Sequence, residues 1–170
     1  MKKEPIQFVY TNNGKWGSRT ISWATREKGQ RICETPSHFS ILIWEWIIIE
    51  STLLYGVKPK LWSTFKDQNR ILARFAPKDD KKTAANLAKA NADRIRKAGY
   101  DYAAALYMGF YEVLNYYFDV EIPKENKFNS DEDFFCNEIY ADQYGGDVSM
   151  KHPNSLMLKM LNDEKLKRLE

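Results

Sequence analysis

Residues 38–50 run His-Phe-Ser-Ile-Leu-Ile-Trp-Glu-Trp-Ile-Ile-Ile-Glu, and this stretch decides the fold. It contains two runs of β-branched or aromatic residues, 39–43 and 46–50, joined by Trp44 and Glu45. Runs of this kind favour β-strands. Because both runs are apolar at successive positions, they are typical of strands that are covered on each face of a sheet. The sequence therefore predicts a hairpin inside a sheet.

The predicted hairpin brings a histidine and a carboxylate together. His38 begins the first run, and Glu50 ends the second after three isoleucines. A carboxylate in such a setting needs a partner when it is buried, and an imidazole is a suitable one. One register places His38 opposite Glu50 on the same face, whereas a one-residue slip places Ser51 there instead. No Asn-Gly turn is present to choose between these registers.

The remaining sequence predicts a single α+β domain over residues 1–170, a length that suits one hydrophobic core. We predict a strand over 6–10, a short helix over 18–25 with Ile21, Trp23 and Ala24 facing inward, a loop over 56–65, and a strand over 69–75. Further helices are predicted over 83–98, 103–117, 133–143 and 156–169.

Composition and charge exclude several classes of function. A net charge of +3 gives little reason to expect nucleic acid as a partner, and the lysines within 78–97 are interspersed with aspartates, as on a solvated helix face. Two cysteines form neither a disulfide framework nor a metal-binding pair. No stretch approaches the ~20 apolar residues of a membrane span, and no apolar signal-peptide core follows Met1. We expect a cytoplasmic protein without integral membrane contact.

Cys136 is the candidate nucleophile. The preceding Ser-Asp-Glu-Asp at 130–133 is typical of a helix N-cap and first turn, so the thiol is expected near the positive end of a helix dipole. That position lowers the pKa of a thiol and raises its reactivity at neutral pH. The other cysteine, Cys33, is expected in a polar loop without such activation. The other histidine, His152, precedes Pro-Asn-Ser and suits a loop and helix cap.

Several segments together resemble the permuted papain-like, NlpC-type cysteine hydrolases, in particular their YiiX-like branch. The resemblance is carried by residues 21–25, 37–41, 48–51, 56–57, 62–65, 99–102, 135–139 and 152–155, in the family's order. It implies a circularly permuted papain-like fold with a central antiparallel sheet packed against helices. It also implies Cys136 as nucleophile, His38 as general base and Glu50 as the residue that orients the imidazole. The chain order of histidine, acid and cysteine is the permuted one.

The resemblance implies thiolate attack on an acyl carbonyl with an acyl-enzyme intermediate and without a metal or organic cofactor. Tyr102 is a candidate for substrate contact, and Asn137 stands where the family usually has serine beside the oxyanion. The favoured activity is that of a peptidase or amidase acting on a peptide, a peptide conjugate or peptidoglycan. Alternatives are a thioesterase or acyltransferase acting on a lipid-type acyl substrate, and a non-catalytic phage or host-interaction module that binds a partner and retains the fold. The sequence does not determine the oligomeric state.

Overall fold

Strands and helices are both present in the computed structural model, which describes residues 6–43, 45–52, 56–78, 102–123, 127 and 152–169. Its strands are β1 (Ile6–Asn12), β2 (His38–Ile43), β3 (Ile47–Thr52), β4 (Gly56–Leu61), β5 (Arg70–Pro77) and β6 (Leu166–Arg168). Its α-helices, within the same residues, are α1 (Trp16–Ala24), α2 (Trp62–Gln68), α3 (Tyr102–Phe118) and α4 (Pro153–Leu161). A short 3-10 helix covers Ile32–Glu34. The predicted α+β class is confirmed.

The described strands form one antiparallel sheet of six strands in the order β4-β3-β2-β1-β5-β6. The predicted hairpin is present, because β2 pairs with β3 and Ile43 lies opposite Ile47. Each of these two strands has a neighbour on both sides. This arrangement explains their apolar sequences, since a strand inside a sheet can bury alternate side chains on both faces.

Each face of the sheet carries a buried apolar cluster. The larger cluster includes Phe39 and Ile41 of the sheet and Leu156 of α4, and we call this side the α4 face. The smaller cluster includes Leu42 of the sheet and Phe65 of α2, and we call this side the α2 face. Complete burial of one such large side chain contributes about 1.5–3 kcal/mol. The alternation along β2 thus fixes which residues point to which helix.

Residues 56–68 form β4 and α2, so the predicted loop over 56–65 is wrong. Pro59 suggested a loop because proline cannot donate a ladder hydrogen bond. However, β4 is an edge strand, where proline is tolerated, and the flanking Lys58 and Lys60 are typical of edges that resist further strand pairing. Phe65 is fully buried and holds α2 on the sheet.

The last predicted helix, 156–169, is wrong beyond Leu161. Helix α4 ends there, and the backbone N–H of Asn162 donates to the carbonyl oxygen of Lys159. The chain then turns and forms β6, which pairs with β5 and buries Leu166. Pairing with a strand more than eighty residues earlier in the chain is a tertiary effect that local helix propensity does not report.

Helix α1 begins two residues before the predicted start, and it turns a different side chain inward. Ile21, expected inside, is 37% exposed, whereas Ser22 is fully buried. The Ser22 hydroxyl donates to the carbonyl oxygen of Thr35 at 2.7 Å and accepts from Asn12 Nδ2 at 2.9 Å. These buried hydrogen bonds set the rotation of the helix in place of an apolar stripe.

The strands predicted over 6–10 and 69–75 and the helix predicted over 103–117 are confirmed, with small differences at their ends. The helices predicted over 83–98 and 133–143 lie outside the described residues. A search of the described helices for one long and apolar enough to span a bilayer found none.

Candidate active site

The register of the β2–β3 hairpin puts His38 and Glu50 on the α2 face. Ser40, and not His38, lies directly opposite Glu50, so the observed register is neither of the two that the sequence left open, and it differs by two residues from the one that pairs His38 with Glu50. A shift of two keeps every side chain on its face, whereas a shift of one would reverse it. Ser51, the alternative partner, pairs with Val57 of the α4-face cluster. His38 and Glu50 therefore share a face, which only one of the two registers left open by the sequence would give.

The turn of the hairpin closes without glycine or asparagine. The backbone N–H of Trp46 donates to the carbonyl oxygen of Ile43 at 3.2 Å. Glu45 has a φ of 61°, in the left-handed region that usually favours glycine. Glutamate adopts this conformation here, so the hairpin forms without the glycine or asparagine that usually marks such a turn.

His38 and Glu50 contact each other diagonally across β2 and β3. The imidazole Nε2 is 3.3 Å from Glu50 Oε2, a distance longer than that of a typical linear N–H···O bond, and the contact is an ion pair when the imidazole is protonated. The glutamate side chain is 7% exposed and the histidine side chain 22% exposed. The carboxylate is thus placed to fix the orientation of the imidazole.

Lys60 of β4 contacts the other oxygen of the same carboxylate. Its Nζ is 3.8 Å from Glu50 Oε1, and it also donates to Gln68 Oε1 of α2 at 2.6 Å. Lys58, directly opposite Glu50 in the β3–β4 register, adds a second positive charge on this side. Glu50 therefore lies between a histidine on one strand and two lysines on the other.

The charges around Glu50 determine its pKa. Burial alone would raise the pKa of the carboxyl, because desolvation disfavours the charged form. The contact with His38 and the positive charges of His38, Lys60 and Lys58 outweigh this effect, and together they hold the pKa of Glu50 below its ordinary value. The carboxylate is consequently ionised at neutral pH and able to stabilise an imidazolium beside it.

Buried hydroxyl groups surround this pair on the α2 face. Thr11 of β1 lies directly opposite His38, Ser40 lies opposite Glu50, and Thr52 follows Glu50 on the same side of β3. Within the described part of the structure, the hydroxyl oxygens of these three residues are buried and have no hydrogen-bond partner. Unpaired buried hydroxyls are costly and uncommon in folded proteins, so this end of the sheet is polar to a degree that packing does not explain.

The other predicted site residues are placed only in part. Cys136 and Asn137 lie outside the described residues, and Tyr102 begins α3 with its side chain outside the description. Cys33 lies in the 3-10 helix Ile32–Glu34 and is exposed. The structure thus brings two of the three proposed catalytic residues together, and the position of the thiol remains a prediction.

His152 acts as a helix cap, as predicted. Its Nδ1 accepts the backbone N–H of Ser155 at 3.1 Å, at the N-terminus of α4. Its Nε2 is 3.4 Å from Glu112 Oε1, and both side chains are less than 10% exposed. Sequence reasoning missed Glu112, although it is the only charged residue within the aromatic stretch 102–118. It missed Lys60 because Pro59 led to the prediction of a loop where β4 forms.

Groups of three or more histidine, cysteine, aspartate or glutamate side chains that could hold a metal ion were sought among the described residues, and none was found. Comparison of the chain with protein-family models, curated proteins and solved structures found no match in any of the three.

Proposed function

We propose that this protein is a cysteine hydrolase with a permuted papain-like fold, acting as a peptidase or amidase. Cys136 is the nucleophile, His38 the general base and Glu50 the residue that orients the imidazole. The observation that carries the proposal is the contact between His38 Nε2 and Glu50 Oε2 at 3.3 Å on adjacent strands. An acid that orients a histidine is the arrangement on which nucleophile activation depends.

In this proposal each imidazole nitrogen has its own role. Because Nε2 faces Glu50, Nδ1 is the nitrogen that takes the thiol proton. An ionised Glu50 stabilises the imidazolium that forms, and it favours the tautomer in which Nε2 carries the hydrogen. A neutral amide at this position would orient the ring but would not stabilise its positive charge.

The reaction then follows from elementary acyl-transfer chemistry. The Cys136 thiolate adds to the carbonyl carbon of the scissile amide, and backbone N–H groups near the thiol stabilise the oxyanion. The imidazolium of His38 gives its proton to the leaving amine, and the thioester acyl-enzyme remains. A water molecule, deprotonated by His38, adds to the thioester carbonyl, and expulsion of the thiolate releases the carboxylic acid.

An exposed apolar surface favours one alternative, action on a lipid-type acyl substrate. Trp46 at the hairpin turn is 67% exposed, and the neighbouring Ile47 and Leu61, which pair across β3 and β4, are 45% and 61% exposed. On α3, Leu106 and Phe110 are 74% and 60% exposed. Apolar side chains that cluster at a surface often mark contacts with lipids or other partners. Trp44, between the two runs of the hairpin sequence, lies outside the described residues.

The proposal is tested by the rate at which iodoacetamide alkylates Cys136 across the pH range. Because Cys33 is exposed and would also react, the experiment uses a Cys33→Ser background. Fast alkylation below pH 7 that is lost in His38→Ala, and shifted to higher pH in Glu50→Gln, is the expected result. An ordinary thiol profile that neither substitution changes would refute the enzyme proposal and favour the non-catalytic binding module.

Once a reactive thiolate is established, two substrates separate the enzymatic alternatives. Peptide amides, including peptidoglycan stem peptides, are compared with a long-chain acyl thioester in the same background. Hydrolysis of the amide that is unaffected by Trp46→Ser supports the peptidase or amidase. Preference for the long-chain thioester, reduced by Trp46→Ser, would replace it with the lipid-directed enzyme.

A further inference from the structure

Lys60 links the candidate active site to the edge of the sheet through a continuous set of polar contacts. Gln68 Oε1 accepts from Lys60 Nζ at 2.6 Å, and Lys60 Nζ is 3.8 Å from Glu50 Oε1. The second carboxylate oxygen of Glu50 contacts His38 Nε2 at 3.3 Å. The lysine side chain is 26% exposed, and its ammonium also lies 5.9 Å from the centre of the Phe65 ring. Its head group is thus held on three sides.

We propose that Lys60 is a positioning residue that acts through Glu50 on His38, and that it makes the imidazole a weaker base than Glu50 alone would make it. The inference rests on the proposed function, in which His38 is the general base. Lys60 holds Oε1 on the β4 side, which leaves Oε2 directed at the imidazole. It also draws on part of the negative charge that acts on His38.

The direction of this effect follows from the charges. A carboxylate beside histidine stabilises the imidazolium and raises the pH at which it loses its proton. A lysine on the same carboxylate opposes this, since it draws on the same negative charge and repels the imidazolium. A general base works best when it titrates near the working pH. If Glu50 lacked its lysine, the His38 imidazole would hold its proton too tightly.

The charged groups that face this end of the α2 face come from three elements of the described structure. Strand β3 provides Glu50, and β4 provides Lys58 and Lys60. Helix α2 carries Lys66 and Asp67, both of which are exposed. Strand β1 presents the uncharged Thr11 opposite His38. Lys60 is distinguished from Lys58 and Lys66 by its contact with both Glu50 and Gln68.

The test is the NMR titration of the His38 imidazole in a Cys136→Ser protein, in which the thiol does not contribute. The chain has two histidines, so His38→Ala assigns the signals. Lys60→Met keeps the aliphatic stem over Phe65 and is expected to raise the titration midpoint by about 0.5 pH unit, or roughly threefold in proton affinity. Lys60→Arg retains the charge and is expected to restore the original midpoint. Lys66→Met is the matched control and should not change it.

A double-substitution cycle separates action through Glu50 from direct repulsion. If Lys60 acts through the carboxylate, the shift caused by Lys60→Met falls to less than half in a Glu50→Gln background. An equal shift in both backgrounds, or no shift from Lys60→Met, overturns the inference. Lys60→Gln, which can still bind Gln68, gives the same test if Lys60→Met does not fold.

The two proposals fail in different ways. A Lys60-dependent titration of His38 together with an unreactive Cys136 would leave the Lys60–Glu50–His38 coupling in place and refute the hydrolase. A reactive Cys136 together with a His38 titration that Lys60→Met does not change would support the hydrolase and overturn the role of Lys60.

Discussion

Glu50→Gln is expected to destabilise the folded protein by about 1–2 kcal/mol at neutral pH, and by progressively less in acid. The substitution keeps the size of the side chain and one acceptor oxygen, and it removes the negative charge. At neutral pH it leaves Lys60, and His38 when protonated, without their counter-charge. The loss of stability should therefore report the interaction energy of the ionised carboxylate with these two groups.

The distances set the magnitude. Two unit charges 3.8 Å apart, as for Glu50 Oε1 and Lys60 Nζ, attract by about 4 kcal/mol at an effective dielectric constant of about 20. Burying the carboxylate opposes this by an amount on the order of several kcal/mol. The side chains of Lys60 and His38 are 26% and 22% exposed, so water partly solvates them once the charge is gone. The net loss is consequently smaller than the gross attraction.

The sign of the pH dependence follows from the lowered pKa of Glu50. A carboxyl whose pKa is lower in the folded state than in the unfolded state adds stability that is complete above the unfolded pKa. That stability is lost as the pH falls through the folded pKa, because the carboxyl becomes protonated in both states. The difference between the wild-type protein and Glu50→Gln should shrink over the same interval.

Urea unfolding followed by tryptophan fluorescence, at neutral pH and at several acidic pH values, measures this difference. The matched control is Glu34→Gln, which removes a carboxylate from an exposed pair with Arg31 and should cost less than about 0.5 kcal/mol. A Glu50→Gln loss no greater than that of the control at neutral pH, or a loss that is independent of pH, would refute the assigned electrostatics.

Two further substitutions test buried polar groups, one in α4 and one beside His38. Asn154→Ala should destabilise the fold by about 2 kcal/mol in urea unfolding. The fully buried Asn154 amide donates to the carbonyl oxygen of Thr25 at 3.0 Å and exchanges hydrogen bonds with Gln30. The exposed Asn162→Ala is the control, and equal losses of stability in the two variants would contradict the assignment. Thr11→Val should leave the free energy of unfolding unchanged or raise it by up to about 1 kcal/mol, because the buried Thr11 hydroxyl has no hydrogen-bond partner within the described residues. A clear loss of stability in the same urea unfolding would show that this hydroxyl is hydrogen bonded.

The hairpin could be predicted from sequence because its signal is concentrated. The apolar residues of 39–43 and 46–50 allow few arrangements other than two strands inside a sheet. The common face of His38 and Glu50 could not be predicted, since the two registers left open by the sequence differ by one residue, which reverses the face. The register could not be predicted either, because Glu45 takes a left-handed conformation that is unusual for glutamate.

The errors share a physical cause, which is that distant parts of the chain overrule local signals. Pro59 lies in a strand because β4 is at the edge of the sheet, a position that only the assembled sheet defines. Leu166 lies in a strand because β5 offers a free edge, although its neighbours favour a helix. Lys60 became visible as part of the site only after β4 was paired with β3.

The α2 face is polar at one end and apolar at the other. Further along the same face, Leu42 and Ile48 are fully buried and apolar, which is the cheaper way to fill a sheet interior. At the other end, His38, Glu50 and three hydroxyl-bearing residues occupy equivalent positions, and the hydroxyls lack partners within the described residues. Apolar residues of similar size would stabilise the fold at least as well. A chain that places polar groups where apolar ones would be more stable commonly does so for chemistry, because stability is given up at functional sites. The polar side chains at this end of the α2 face therefore support the proposed role of the His38–Glu50 pair in catalysis or binding.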